Sequence, residues 1–240
     1  MLLDDILASL FGSDHGVGRQ AEILAGRATL ADGTGLHVVG FVGGAELGID
    51  QAITLAGLVL DIARSGDGAP ILFLVDSSSQ RMARRDELLG LSEYLAHLAK
   101  TLLLAEQAGH RTIGLLYGGS AAGAFIATAL ACHTLVALPG AHPEVMDLPS
   151  MARVTKLPLS TLQQKAEATP VFAPGLDNLA QTGAITEVWD PERPLSAQLK
   201  ALLATPVTGD IRGRLGKERN GRPKAADIAA EVVSLATAHG

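Results

Sequence analysis

Between Pro70 and Leu138, uninterrupted apolar runs of strand length alternate with stretches of helical periodicity, and this alternation restricts the chain to few folds. Ile71-Leu72-Phe73-Leu74-Val75 has no polar position, as a strand covered on both faces requires. Leu88, Leu91, Leu95, Leu98 and Leu102 predict one continuous helix from about Asp86 to Ala108, stopped at Gly109. A strand at Thr112 to Tyr117, a helix from about Ala121 to Ala131 and a strand at Thr134 to Leu138 complete the pattern. Such a β-α-β-α-β order implies right-handed crossovers and a mainly parallel sheet flanked by helices, an α/β class whose ligands bind near the carboxyl ends of strands.

The flanks extend this plan within a single domain spanning residues 1–240. A short N-terminal helix over 1–12 leads through a loop, Gly12 to Gly18, to a hairpin of strands Glu22 to Leu30 and Leu36 to Val42 around the Ala31 to Gly35 turn. Ile49, Ile53, Ala56, Leu60 and Ala63 have the spacing of an amphipathic helix. Beyond Pro139 the pattern predicts helices near Met146 to Val154, Ser160 to Glu167 and Asp177 to Gln181, then a strand from Ile185 to Trp189. Pro191, Pro194 and Pro206 interrupt the next stretch, and a polar, basic segment over 210–224 precedes a last helix from Ala225 to His239.

Composition removes several function classes. A net charge of −6 is the wrong sign for general nucleic-acid binding, which needs a basic surface. The single cysteine, Cys132, forbids an intramolecular disulfide and a Cys-rich zinc site, and it fits a reducing cytoplasm. Acidic residues interrupt the first apolar residues too early for a signal peptide, and no apolar run approaches membrane-spanning length. No metal site and no membrane association are expected.

Two segments at strand exits invite chemistry. Asp76 to Gln80 reads as a loop of small residues, with Ser78 and Ser79 at its centre, whose backbone N–H groups suit an anionic oxygen. Gly118-Gly119-Ser120-Ala121-Ala122-Gly123-Ala124 places only small residues across the next strand exit and first helical turn. A ligand can approach such a backbone closely, and the first amides of a helix lack internal partners. The same glycines and alanines equally permit close helix–sheet packing. Ser120 suits a helix N-cap better than a nucleophile, because the nucleophile-elbow motif requires glycine where Ala122 stands.

The Val-Asp-Ser-Ser-Ser-Gln segment, the leucine helix, the Gly-Gly-Ser-Ala-Ala-Gly-Ala-Phe turn and Gly183-Ala184-Ile185-Thr186-Glu187-Val188 occur in an order that resembles the crotonase-like acyl-thioester carboxyltransferases. The likeness covers roughly residues 35 to 205. Ala137-Leu138-Pro139-Gly140-Ala141 and the basic C-terminal region make it most similar to malonate decarboxylase gamma subunits. The resemblance implies a ClpP/crotonase-type fold and a heteromeric, biotin-independent enzyme. With a crotonase-like beta subunit, such a chain decarboxylates a malonyl thioester on an acyl-carrier protein. The further partners implied are the acyl-carrier protein and a carrier-transferase subunit. The thioester is of phosphopantetheine type, with coenzyme A as its mimic and no cofactor bound covalently.

Carried onto this sequence, the resemblance makes Ser78, Ser79, Gly119, Ser120, Ala122, Gly123 and Ala124 the catalytic set, with the amides of Ser79, Gly123 and Ala124 as enolate donors. The biotin-dependent carboxyltransferases that the sequence resembles usually have Pro-Gly at Ser78-Ser79 and Gly-Gly-Ala at Ala122-Gly123-Ala124, so the exact amide roles stay open. Arg81, Arg84 and Arg85 are the expected holders of a carboxylate or phosphate, against a reading as a solvated helix start. The basic residues from Arg212 to Lys224 either touch the carrier or the partner subunit or form a disordered, solvated loop. Water, Tyr117, a histidine or a partner residue remain admissible proton donors. Other functions left open are carboxyl transfer to biotin, a hydratase or isomerase, a serine peptidase using Ser120 with His133 or His142, and a non-catalytic subunit.

Overall fold

The computed structural model describes residues 1–170, 173–206 and 209–238. Helix α1 (Leu3–Phe11) precedes strands β1 (Gly16–Gln20), β2 (Ile23–Thr29) and β3 (Gly35–Leu47), then helix α2 (Ile49–Ser65) and strand β4 (Ile71–Gln80). Next come helices α3 (Arg84–Leu89) and α4 (Leu91–Gln107), strands β5 (Thr112–Leu116) and β6 (Gly119–Ala121), and helix α5 (Ala122–Ala127). A 3₁₀ turn at Ala129–Ala131 leads to β7 (Thr134–Ala137) and β8 (His142–Glu144), then α6 (Leu148–Thr155), α7 (Leu159–Ala168) and α8 (Leu176–Gln181). The chain ends with β9 (Glu187–Val188), α9 (Leu195–Ala204), α10 (Arg212–Glu218) and α11 (Ala225–Ala238).

Among the described residues, seven strands form the main sheet in the order β1-β2-β3-β4-β5-β7-β9, antiparallel through β3 and parallel from there. The period of two along β4 divides its side chains between two cores. Ile71, Phe73 and Val75 pack with α2, α4 and α5, while Leu72 and Leu74 pack on the other face with α1, α9 and Trp189. The expected mainly parallel sheet with helices on both faces is therefore present. Cys132 is buried in the first core, and burial pushes its thiol far up, so it is an apolar filler.

Several local expectations fail for physical reasons. The expected loop Asp76 to Gln80 is strand, because β3 runs to Leu47 and supplies a partner: Ala45 pairs with Ser77 and Leu47 with Gln80. The register shift lies around Gly43 and Gly44, both at positive φ, a bulge that turns the end of β3. Gly16 to Gln20 is likewise strand, paired with β2, although its residues are mostly exposed and leave no apolar signature.

The single helix expected from Asp86 to Ala108 is two, broken at Gly90 with φ 83°, and Leu88 consequently points to solvent at 75% exposure. The helix expected from Ala121 to Ala131 stops at Ala127; Thr128 donates its hydroxyl to the Ala124 carbonyl. The Ile185 to Trp189 strand reduces to Glu187–Val188.

Prolines concealed α9: Pro194 stands at its N-cap, where a missing N–H costs nothing, and Leu195, Leu199 and Leu202 are buried. The basic segment is not a solvated loop, since α10 occupies it. Arg219 donates to the carbonyls of Ala180, Ile185 and Thr186 at 2.7–2.8 Å, and Arg212 reaches Asp210 and the Leu130 carbonyl. The terminal helix α11 buries none of its residues, and His239, its expected endpoint, lies outside the described residues.

Candidate functional site

The extended end of β4 and the turn from Gly119 to Ala122 line one cleft of about 650 Å³ beyond the carboxyl ends of the parallel strands. Ser77, Ser78, Ser79 and Gln80 form one wall, and Gly119, Ser120, Ala121 and Ala122 another. Three hydrogen bonds pin the walls together. The Gly119 amide donates to Asp76 Oδ1 at 3.1 Å, the hydroxyls of Ser77 and Ser120 pair at 2.8 Å, and the Gly123 amide donates to Gln80 Oε1 at 2.8 Å. All three links span 43 residues, so the second segment tracks the first in register.

Side-chain size explains the two glycines. A Cβ on Gly118 would collide with Asp76 Oδ1. On Gly119 it would meet the Ser77 carbonyl at 2.7 Å and His142 Nε2 at 2.8 Å. Ala122 adopts φ 49°, a left-handed conformation that costs a residue with a Cβ about 1–2 kcal/mol. It stands where the resemblance to biotin-dependent carboxyltransferases implies glycine.

Of the sequence-predicted catalytic residues, Ser78, Ser79, Gly119, Ser120 and Ala122 line the cleft. Gly123 and Ala124 lie behind that lining: the Gly123 amide is committed to Gln80, and Ala124 is fully buried. Ser120 is not a helix N-cap, because β6 carries it and Ala121 takes the cap position. Nor is it an activated nucleophile: it is 1% exposed and its hydroxyl pairs with Ser77 rather than a histidine. His133 sits at the opposite end of the parallel strands, just before β7, where its amide donates to Thr112 Oγ1.

Arg81 and Arg85, expected to hold an anion, are both paired with carboxylates of this chain. Arg81 forms a two-bonded pair with Asp86, which is fully buried, and Arg85 grips both oxygens of Asp50 at 2.8 and 3.0 Å. Arg81 holds the Asp86 carboxyl below the usual carboxylate range. A Cβ on Gly48 would collide with the Arg81 guanidinium, so this corner is filled. Arg84 is exposed and makes no ion pair among the described residues. None of the three lines the cleft.

The cleft also contains His142, which the sequence offered only as a peptidase base beside Ser120, and Glu144 and Asp147, which sequence reasoning did not place there. Strand β8 pairs in parallel with β6 and brings His142 and Glu144 to the rim, while Asp147 caps α6 through the Ser150 amide at 2.5 Å. Ser150 holds the Asp147 carboxyl below its ordinary range. His142 lies against Gly119, with Nδ1 3.4 Å from the Gly140 carbonyl. Tyr117, an admissible donor from sequence, packs against the second core outside the cleft lining, and burial pushes its phenol up. The Gly119–His142 proximity has no sequence signature, since a three-residue strand pairing creates it.

Comparison with known proteins bears on the family and the fold. The family model described as malonate decarboxylase gamma subunit matches residues 42–236. Among solved structures, a Pseudomonas malonate decarboxylase hetero-tetramer in complex with coenzyme A contains a chain 27% identical, with a TM-score of 0.78, covering 95% of this chain and 97% of that one. A Pseudomonas malonate decarboxylase MdcD-MdcE hetero-dimer contains one 26% identical, with a TM-score of 0.77 and 98% of each chain covered. The malonyl-S-ACP:biotin-protein carboxyltransferase MADD of Malonomonas rubra is 26% identical over 167 residues. That match takes in 64% of this chain and only 57% of the relative's length. Among the described residues no helix is long and apolar enough to cross a membrane.

Proposed function

The chain belongs to the malonate decarboxylase gamma-subunit family, and from that premise we propose that it joins a beta subunit to convert a malonyl thioester on an acyl-carrier protein into the acetyl thioester and carbon dioxide. The observation that carries this reading is the convergence of the β4 extension and the glycine turn on one cleft. The coenzyme A bound by the Pseudomonas hetero-tetramer supports a phosphopantetheine-type thioester as ligand, and the MdcD-MdcE hetero-dimer supports a beta-subunit partner.

The reaction asks little of side-chain chemistry. The bond between the malonyl carboxylate and the alpha carbon breaks, and carbon dioxide leaves. Its electron pair delocalises onto the thioester oxygen as an enolate, and a proton added at carbon completes the acetyl group. Amides aimed at the enolate oxygen stabilise the charge as it develops, each by about 2.7–4 kcal/mol when well aligned. Helix α5 has only six residues, so its macrodipole is small and individual amides carry the effect. We assign these donors to Ser79 and Ala122, which line the cleft, while Gly123 anchors the turn through Gln80. His142, lying on Gly119, is assigned the proton delivered to carbon.

A second reading has a specific support: the relative MADD is a biotin-protein carboxyltransferase, and transfer to biotin passes through the same enolate. Carbon dioxide release from malonyl-acyl-carrier protein by the co-purified complex, with and without avidin, tests both. Release unaffected by avidin is expected; release abolished by avidin favours the carboxyltransferase, and no release overturns the decarboxylase reading.

A further inference from the structure

At the amino ends of the parallel strands, opposite the cleft, three residues from separate parts of the chain converge. His37 lies near the start of β3, Asp67 in the segment between α2 and β4, and His110 in the segment before β5. One ligand atom from each lies within 4.8 Å of those of the other two. His37 Nε2 is 3.1 and 3.2 Å from the two Asp67 oxygens, and His110 Nδ1 is 3.7 Å from Asp67 Oδ1. Both imidazoles are buried, at 7% and 0% exposure, whereas the Asp67 side chain is 30% exposed.

We propose that His37, Asp67 and His110 form a binding site for one divalent zinc-like ion that pins the three segments together. A tetrahedral zinc centre with bonds of about 2.0–2.1 Å separates its ligand atoms by about 3.3 Å, close to the His37–Asp67 spacing already present. Two imidazoles and one carboxylate, with a fourth position open to water past the partly exposed Asp67, are a donor set that suits zinc better than calcium or magnesium.

Neighbouring backbone groups orient the ligands. The Ala69 amide donates to Asp67 Oδ1 at 3.0 Å, and the Ala69 carbonyl lies 2.9 Å from His110 Nδ1, the nitrogen 3.7 Å from Asp67, so the ring would ligate through its other nitrogen, Nε2. His110 Nε2 is buried without a hydrogen-bond partner, which a purely structural hydrogen-bonded cluster leaves unexplained.

Arg27 supplies the discriminating feature. Its guanidinium lies 2.8 Å from Asp67 Oδ2 and is 60% exposed, so it competes with a metal for one carboxylate and contributes little to the fold. If the cluster binds an ion, removing that charge strengthens binding; if the cluster is only an ion pair, removal does nothing for metal.

The test is titration of the untagged, chelator-treated full chain with Co²⁺, read by its visible d–d bands, and then displacement with Zn²⁺. One equivalent per chain is expected. His37→Gln and His110→Gln should each weaken binding about tenfold or more, and Arg27→Gln should strengthen it severalfold. Absence of stoichiometric binding, binding that survives both histidine substitutions, or no gain in Arg27→Gln overturns the proposal. The Arg27 variant keeps the test decisive if a buried-histidine variant fails to fold.

Discussion

The cleft and the arginine corner both lie just beyond the apolar part of β4, yet they use polarity in opposite ways. In the cleft, Ser77 to Gln80 and Gly119 to Ala122 present small side chains and backbone to an open space, and their few side-chain hydrogen bonds tie one wall to the other. In the corner, Arg81 and Arg85 face Asp50 and Asp86 and are consumed by them. The difference teaches that full charges brought near a sheet end serve packing once carboxylates answer them, while a surface poor in side chains leaves room for a substrate.

Substitutions can break this contrast. His142→Gln removes the assigned proton carrier, and kcat should fall about 100-fold or more with the complex intact by gel filtration. In Gly118→Ala the new Cβ displaces Asp76 and with it the Gly119 amide, so kcat should fall roughly 50-fold from misplacement of the turn. Arg81→Met leaves the buried Asp86 with Arg85 and the Ile49 backbone amide and should cost about 2 kcal/mol in urea unfolding, below the range for losing a fully buried partner. Its kcat/KM should stay within about twofold of wild type; a selective rise in KM would return Arg81 to substrate binding.

The same pair fixes a pH dependence. Because Arg81 lowers the folded-state pKa of Asp86, its stabilisation is complete above the unfolded value of about 3.9 and is lost as the pH falls toward the folded value. Acid unfolding should therefore shift upward in Arg81→Met. Ser120→Ala strands the Ser77 hydroxyl and should cost about 1 kcal/mol while most decarboxylation survives; complete inactivation would revive a nucleophilic serine. Ala122→Gly should gain roughly 0.5 kcal/mol, since relief of the left-handed backbone exceeds the entropy glycine adds to the unfolded chain. A loss of stability there would contradict the strain.

Periodicity determined how much of the fold was legible in the sequence. Buried runs such as Ile71 to Val75 and the leucines of α4 depend on burial alone, and the parallel sheet can be inferred from them. Features that depend on a partner strand were hidden: Asp76 to Gln80 becomes strand only because β3 turns at its glycine bulge, and His142 reaches the cleft only through β8 pairing with β6. The glycine turn was visible as an invitation to chemistry, but the commitment of the Gly123 amide to Gln80 was not. Arginines near a serine segment looked like anion receptors because Asp50 lies 31 residues before Arg81 in the chain, and no local pattern announces their meeting.

The central claim is that the cleft of this chain, rather than the partner's surface alone, holds the thioester enolate. It is tested most directly by proton NMR of acetyl-acyl-carrier protein incubated in D₂O with the complex, comparing wild type with Gly118→Ala. The account predicts that wild type exchanges the acetyl methyl protons and that the variant loses most of this exchange while the complex stays assembled; equal exchange in both would contradict it.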